Sequence, residues 1–367
     1  MKGGYQGYNE AGSTYSPSFA AAREETAPSA TPVSFSSEPF LAADVGGTHA
    51  RIGLIAFQPG SAVPAVLAYR VYKCAEHAGL DAIVRAFCDE HAVKPRRLAL
   101  ASAGFLHDGQ VVNSNLQWPV VPAWLEAKLG LSDVNVLNDF EALAYGTAYL
   151  DASHVTPLHN PQRTEKTDTG PVVIVGPGTG LGVAVRLPGA PPKVLATEAG
   201  HIQLAARVGR EQQVLAELAQ ADTHIPYDHV LSGPGLVRLY GALCRLERLP
   251  AVYHEPSAIT AAACAGTNVR AVETLQLFCG WLGSFLGDLA MLYGATGGIY
   301  LAGGFLSRMT AFVEKSTFNN RFLDKGVMRP FLQTVPVHIV DHAQLGVIGA
   351  ASWLMSQIGR ASCRERV

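Results

Sequence analysis

From residue 40 the chain reads Phe40-Leu41-Ala42-Ala43-Asp44-Val45-Gly46-Gly47-Thr48-His49-Ala50-Arg51-Ile52-Gly53-Leu54-Ile55-Ala56-Phe57, two apolar runs joined by a Gly-Gly pair. Apolar runs broken by a glycine turn predict a β-hairpin. The pattern returns at Val172-Val173-Ile174-Val175, which leads through Gly176-Pro177-Gly178-Thr179-Gly180-Leu181 into a second apolar run at 182–186. Around these hairpins strand patterns at 66–72, 97–103, 134–137, 298–301 and 337–340 alternate with helical ones. The helices are expected at 80–91, 124–129, 140–149, 211–220, 235–247, 257–265, 268–294 and 344–357. Such alternation predicts α/β sheets, mostly parallel apart from each opening hairpin. Two units that both begin strand, Gly-rich turn, strand predict a duplicated architecture with a cleft between the halves.

A chain of 367 residues has room for two such units. The polar stretch 151–170, with Pro157 and Pro161, marks the expected boundary. It divides a small α/β domain at 39–150 from a larger one at 151–343, and the last helix, 344–357, packs back to complete the first. Residues 1–38 hold seven Ser, three Pro and four Gly without apolar periodicity, the composition of a disordered extension. Residues 358–367 read as a tail that is not native to the protein. A net charge of −2 supplies no basic field for a polyanion, which argues against a nucleic-acid partner. The six cysteines contain no C-x-x-C pair and read as buried thiols of a reducing compartment. Residues 275–293 are apolar enough to suggest a membrane span, but Gln276 and Asp288 interrupt them, and the glycines at 283 and 287 fit a buried helix packed closely on a neighbour.

Six places carry candidate chemistry. On the first hairpin, Asp44 ends a strand where a carboxylate reaches a hydrated cation, while Gly46, Gly47 and Thr48 offer backbone N–H groups and a hydroxyl to phosphate. A plain hairpin turn is the competing reading. On the second, Gly178, Thr179 and Gly180 repeat the device, with a mobile loop as the competitor. Asn138 and Asp139 lie between a strand and a helix, at the sheet edge where α/β proteins put their ligands, and equally where a helix wants a cap. Glu198 and His201 flank two small residues and suit neighbouring hydroxyls of a polyol; Asp228 precedes an apolar pair, read as strand-like, and Ser232-Gly233-Pro234-Gly235. Gly303 and Gly304 close a strand and would let a flat adenine and its ribose lie against backbone, with an ordinary strand turn as the competing reading.

In order and spacing these motifs resemble the bacterial ATP-dependent glucokinases of the hexokinase-type ATPase superfamily, over about residues 40–354. The likeness rests on Asp44-Val45-Gly46-Gly47-Thr48, Asn138-Asp139-Phe140, Gly176-Pro177-Gly178-Thr179-Gly180, the run 198–201, the run 230–235 and Ala302-Gly303-Gly304. It implies a two-domain actin-like (ribonuclease H-like) α/β fold, a cytoplasmic homodimer, and transfer from ATP, with Mg2+, to O6 of glucose. It further implies Asp139 as the catalytic base and Asn138, Asp139, Glu198 and His201 as sugar contacts, with Asp228 at a further one. The pattern departs from the family at Asp228, where Glu is usual, and at Ala199, where Gly is usual. The zinc-binding cysteine cluster of the ROK group is missing.

Overall fold

The computed structural model describes residues 38–364 apart from 59, 60, 62, 113–115, 117, 162–169 and 221–222; the side chains of 105, 106 and 359–364 are also outside it. The expected extension at 1–38, Glu38 aside, and the last three residues therefore lie outside the described residues.

The first hairpin is β1 (Phe40–Val45) and β2 (His49–Phe57), in antiparallel register with Asp44 opposite Arg51, and β3 (Pro64–Lys73) continues it outward. A helix, Leu80–His91, leads to β4 (Arg97–Ser102), which lies parallel to β1 on its other side. A small separate hairpin follows, β5 (Phe105–His107) and β6 (Gln110–Val112), then β7 (Asp133–Asn138), parallel to β4. The sheet order is β3-β2-β1-β4-β7. Its central strands are covered on both faces, which is why they read as unbroken apolar runs. Helices Leu80–His91 and Pro122–Leu129 contribute Ile83, Phe87 and Leu125 to one face. Asp139–Gly146 and Leu345–Arg364 cover the other, packing Ala142, Val347 and Leu354 against Phe40, Ile55 and Leu137. The last helix thus returns to the first sheet, and its backbone runs to Arg364, beyond the expected end at 357.

The second sheet repeats the order. β9 (Val172–Pro177) pairs antiparallel with β10 (Leu181–Leu187), β10 with β11 (Lys193–Thr197), and β9 lies parallel to β12 (Gly298–Leu301), itself parallel to β13 (Val337–Val340). One strand is added at the edge: β8 (Val155–His159), antiparallel to β13. The sequence reading had no strand in the boundary stretch 151–170, where this one lies. Pro157 obscured it, and a proline is tolerated there because an edge strand need not donate along its outer side. A correction concerns Val230 and Leu231: they are fully buried in a turn after the single helical turn Tyr227–His229, not in a strand.

Among the described residues one helix, Val269–Tyr293, is long and apolar enough by length and composition to cross a membrane. Most of it is buried in the core of the second unit, where Phe278, Trp281 and Phe285 lie at 0–1% exposure. Gly283 explains its close packing, since a Cβ there would collide with the Phe318 carbonyl of the helix Phe318–Leu323. Of the expected buried thiols, Cys74, Cys244 and Cys279 are buried, Cys88 is half-buried and Cys264 is exposed.

Candidate active site

The carboxyl ends of β1, β4 and β7 converge on one edge of the first sheet, and Asn138 and Asp139 sit at the last of these. Helix Asp139–Gly146 begins here, and its cap is Asn138. The Asn138 Oδ1 accepts from the amides of Phe140 (2.9 Å) and Glu141 (3.3 Å), and its Nδ2 donates to the Gly104 carbonyl at 3.3 Å. One N–H of that amide is left for a ligand. The competing reading of Asp139 as the cap therefore falls mainly to its neighbour, although Asp139 Oδ1 also accepts from Phe140 N at 2.9 Å. The Phe140 ring lies against Gly176 and Gly182 of the second hairpin, which anchors the start of this helix beside the glycine turn.

Burial pushes the Asp139 carboxyl up to about 6, aided by the negative charge of Asp44 and, more weakly, of Glu198, and opposed by the Phe140 amide. An acid poised there is ionised near neutrality and basic enough to take a proton. Asp44 is held above its ordinary value by burial, against the pull of Arg51, whose Nη1 lies 3.5 Å from its Oδ2. The first turn of the last helix abuts it: a Cβ on Gly346 would stand 2.8 Å from the Asp44 carboxylate.

Asp139 lines a cavity of about 660 Å³ together with Asn138, Glu198, His201, Asp228 and the turn 176–182. Glu198 and His201 face each other at 4.0 Å with side chains 89% and 63% exposed, so the cleft stands open on their side. Asp228 contributes only in part, because its Oδ1 accepts the Leu181 amide at 2.6 Å. Ala199 is buried in the core of the second unit and is not part of the cavity wall. A second cavity, about 670 Å³, adjoins the first through Pro177, Gly178, Thr179 and Gly303, and takes in Gly304. It is lined mainly by apolar groups from three further segments, including Leu236, Pro256, Ala261 and Phe305, with Cys264 and Arg308 beside them. Sequence reasoning missed these residues; only tertiary packing brings them to one place. Gly46, Gly47 and Thr48 form the β1–β2 turn, closed by Gly46 N donating to His49 O at 3.0 Å, and belong to neither cavity wall.

A polar cavity with a poised carboxylate and an apolar cavity sized for a nucleoside thus meet at a glycine turn. The family model for glucokinase matches residues 41–357. The chain belongs to the glucokinase family. A glucokinase-like protein of Xylella fastidiosa (strain 9a5c) is 44% identical over 321 residues, covering 87% of this chain and 95% of the relative. The crystal structure of a glucokinase from an Antarctic psychrotroph superimposes with a TM-score of 0.76 at 34% identity, covering 87% of this chain and 99% of that one. A ROK family glucokinase from Streptomyces griseus, solved with glucose and AMPPNP, shares the fold at a TM-score of 0.57 and 21% identity, over 86% of this chain and 99% of that one. Membership of the glucokinase family makes the chain a sugar kinase that uses ATP.

Among the described residues no three His, Cys, Asp or Glu side chains are grouped to hold a metal ion. The negative charge of Asp44 raises the Asp139 carboxyl, and one guanidinium, that of Arg51, lies against Asp44. Hard oxygen donors of this kind fit a mostly hydrated Mg2+.

Proposed function

We propose that this member of the family is a glucokinase, transferring the γ-phosphoryl group of ATP to the 6-hydroxyl of glucose to give glucose 6-phosphate and ADP. The observation that carries the reading is the wall at Gly178 and Thr179 shared by the two cavities, with Asp139 lining the polar one. The sugar occupies the polar cavity, its hydroxyls held by the free Asn138 N–H, Glu198 and His201. Asp139 takes the proton of the 6-hydroxyl as that oxygen bonds to the γ-phosphorus, and the bond to the β,γ-bridging oxygen breaks. Gly178, Thr179 and Gly180 present donors to the phosphates, and Gly303 with Gly304 lies under the adenosine. Positioning and charge neutralisation carry most of the acceleration in such a transfer. Asp44 would hold Mg2+ through water, and the ion supplies charge neutralisation on the phosphates when bound. Gly46, Gly47 and Thr48 join the phosphates when the halves close on their ligands.

The 39–150 unit, completed by the last helix, and the 151–343 unit act as the two jaws. The repeated strand order and the packing of Val347 and Leu354 on the first sheet support this division. The resemblance further supports a cytoplasmic homodimer. Coupled ADP release against glucose, mannose, fructose and N-acetylglucosamine tests the assignment: glucose should give the highest kcat/KM, and ATP turnover indifferent to every sugar overturns it.

A further inference from the structure

Asp228 lies between the two halves of the proposed chemistry. Its Oδ1 accepts the Leu181 amide at 2.6 Å, a short hydrogen bond. That oxygen lies over the peptide joining Gly180 to Leu181, since a Cβ on Gly180 would be 2.8 Å from it. The turn it touches is tight, closed by Gly178 N donating to Gly180 O at 2.7 Å. The other end of the same turn is tied to the same neighbourhood, with Gly233 N donating to Gly178 O at 2.8 Å.

The segment that carries Asp228 is itself firmly set. Ser232 Oγ donates to the Asp228 carbonyl at 2.8 Å and accepts from Gly235 N at 3.1 Å, capping the helix Gly233–Leu246. Tyr227 N donates to Ile202 O at 3.0 Å, next to His201, and the Tyr227 ring packs on Phe285 with centroids 4.4 Å apart. A rigid support therefore meets the glycine turn at two points, and the carboxylate of Asp228 is one of them.

We propose that Asp228 is a positioning residue for the nucleotide: its carboxylate fixes the 178–181 backbone that faces the phosphates, where a longer acidic side chain would instead reach the sugar. The proposal rests on the phosphoryl-transfer reading above. An Asp carboxylate spans the gap to Leu181 N from this backbone, and one more methylene would drive the carboxylate past that amide into the polar cavity.

The test is a KM split with an exchange readout. Asp228→Ala should raise the KM for ATP about tenfold or more while the KM for glucose moves by less than about threefold; Asp228→Glu should raise the KM for ATP as well, and lower that for glucose as the longer side chain reaches the sugar. The near-isosteric Asp228→Asn, whose amide oxygen still accepts, should fall between, and thermal melts confirm that each variant folds. Hydrogen exchange at the Leu181 amide should quicken in Asp228→Ala and Asp228→Glu. A rise in the glucose KM alone, with the ATP KM and Leu181 exchange unchanged, overturns the proposal. Wild-type turnover with glucose is measured first. Its absence removes the functional reading, whereas Leu181 exchange and calorimetric ADP affinity in the same variants still decide the role of Asp228.

Discussion

Replacing Asp139 by Asn keeps the shape of the side chain and removes its charge and basicity. Loss of a general base typically costs ~10²–10⁴-fold in rate, about 3–5 kcal/mol of transition-state stabilisation. The structure adds an expectation of the opposite sign for stability. In the fold this carboxyl is raised from 3.8 to about 6, so the folded chain binds the proton more tightly than the unfolded one. Stability then falls as pH climbs from about 4 through about 6, and the full cost is present above that window. The interval corresponds to about 3 kcal/mol, and because Asp139 still meets solvent in the cleft we discount it to about 1–2 kcal/mol. Asp139→Asn should therefore melt about 1–3 °C higher than the parent at pH 7, at about 1–1.5 °C per kcal/mol for a chain of this length. The advantage should shrink toward pH 4. The parent's kcat/KM should fall about tenfold per pH unit below about 6 as the base is protonated. Coupled ADP release and thermal melts between pH 4 and 8 read all of this. Turnover within about tenfold of the parent, or a lower melting temperature at pH 7, would refute the reasoning and return Asp139 to a purely structural place at the helix start.

Glu198→Gln and His201→Asn should each raise the glucose KM about tenfold, the cost of one hydrogen bond, with calorimetric ADP affinity unchanged. Removing divalent ions with EDTA should stop ATP turnover while leaving glucose binding, followed by tryptophan fluorescence, intact; Asp44→Asn should raise the Mg2+ concentration needed for half-maximal rate. Gly283→Ala forces a methyl into the Phe318 carbonyl and should cost about 1–3 kcal/mol in urea denaturation with little effect on kcat.

Much of the fold was legible because local signals agreed with it. Paired glycines between apolar runs marked both hairpins, and the periodicity of Leu80–His91 placed that helix to the residue. The short hairpin β5–β6 was missed although its turn is Asp108-Gly109, with φ of 48° and 76°, the values a two-residue hairpin turn favours. Three-residue strands carry too little alternation to stand out beside it. β8 and β11 were missed because edge strands that face solvent on one side tolerate proline and charge. At the site, Asn138, Asp139, Glu198, His201 and Asp228 were all singled out in sequence and do line one cavity. What spacing could not supply was the partner of each: that Asn138 caps the helix, that Asp228 spends an oxygen on Leu181, and that Cys264 is exposed on the apolar wall.

The last helix covers Phe40, Ile55 and Leu137, which lie on strands made some 200 to 300 residues earlier. A ribosome adding about 5–20 residues per second delivers that cover 10 to 60 seconds late. During synthesis the nascent first sheet waits with one greasy side only partly covered, by the helix Asp139–Gly146, and a holdase that shields the rest in the interval should raise the yield of folded enzyme.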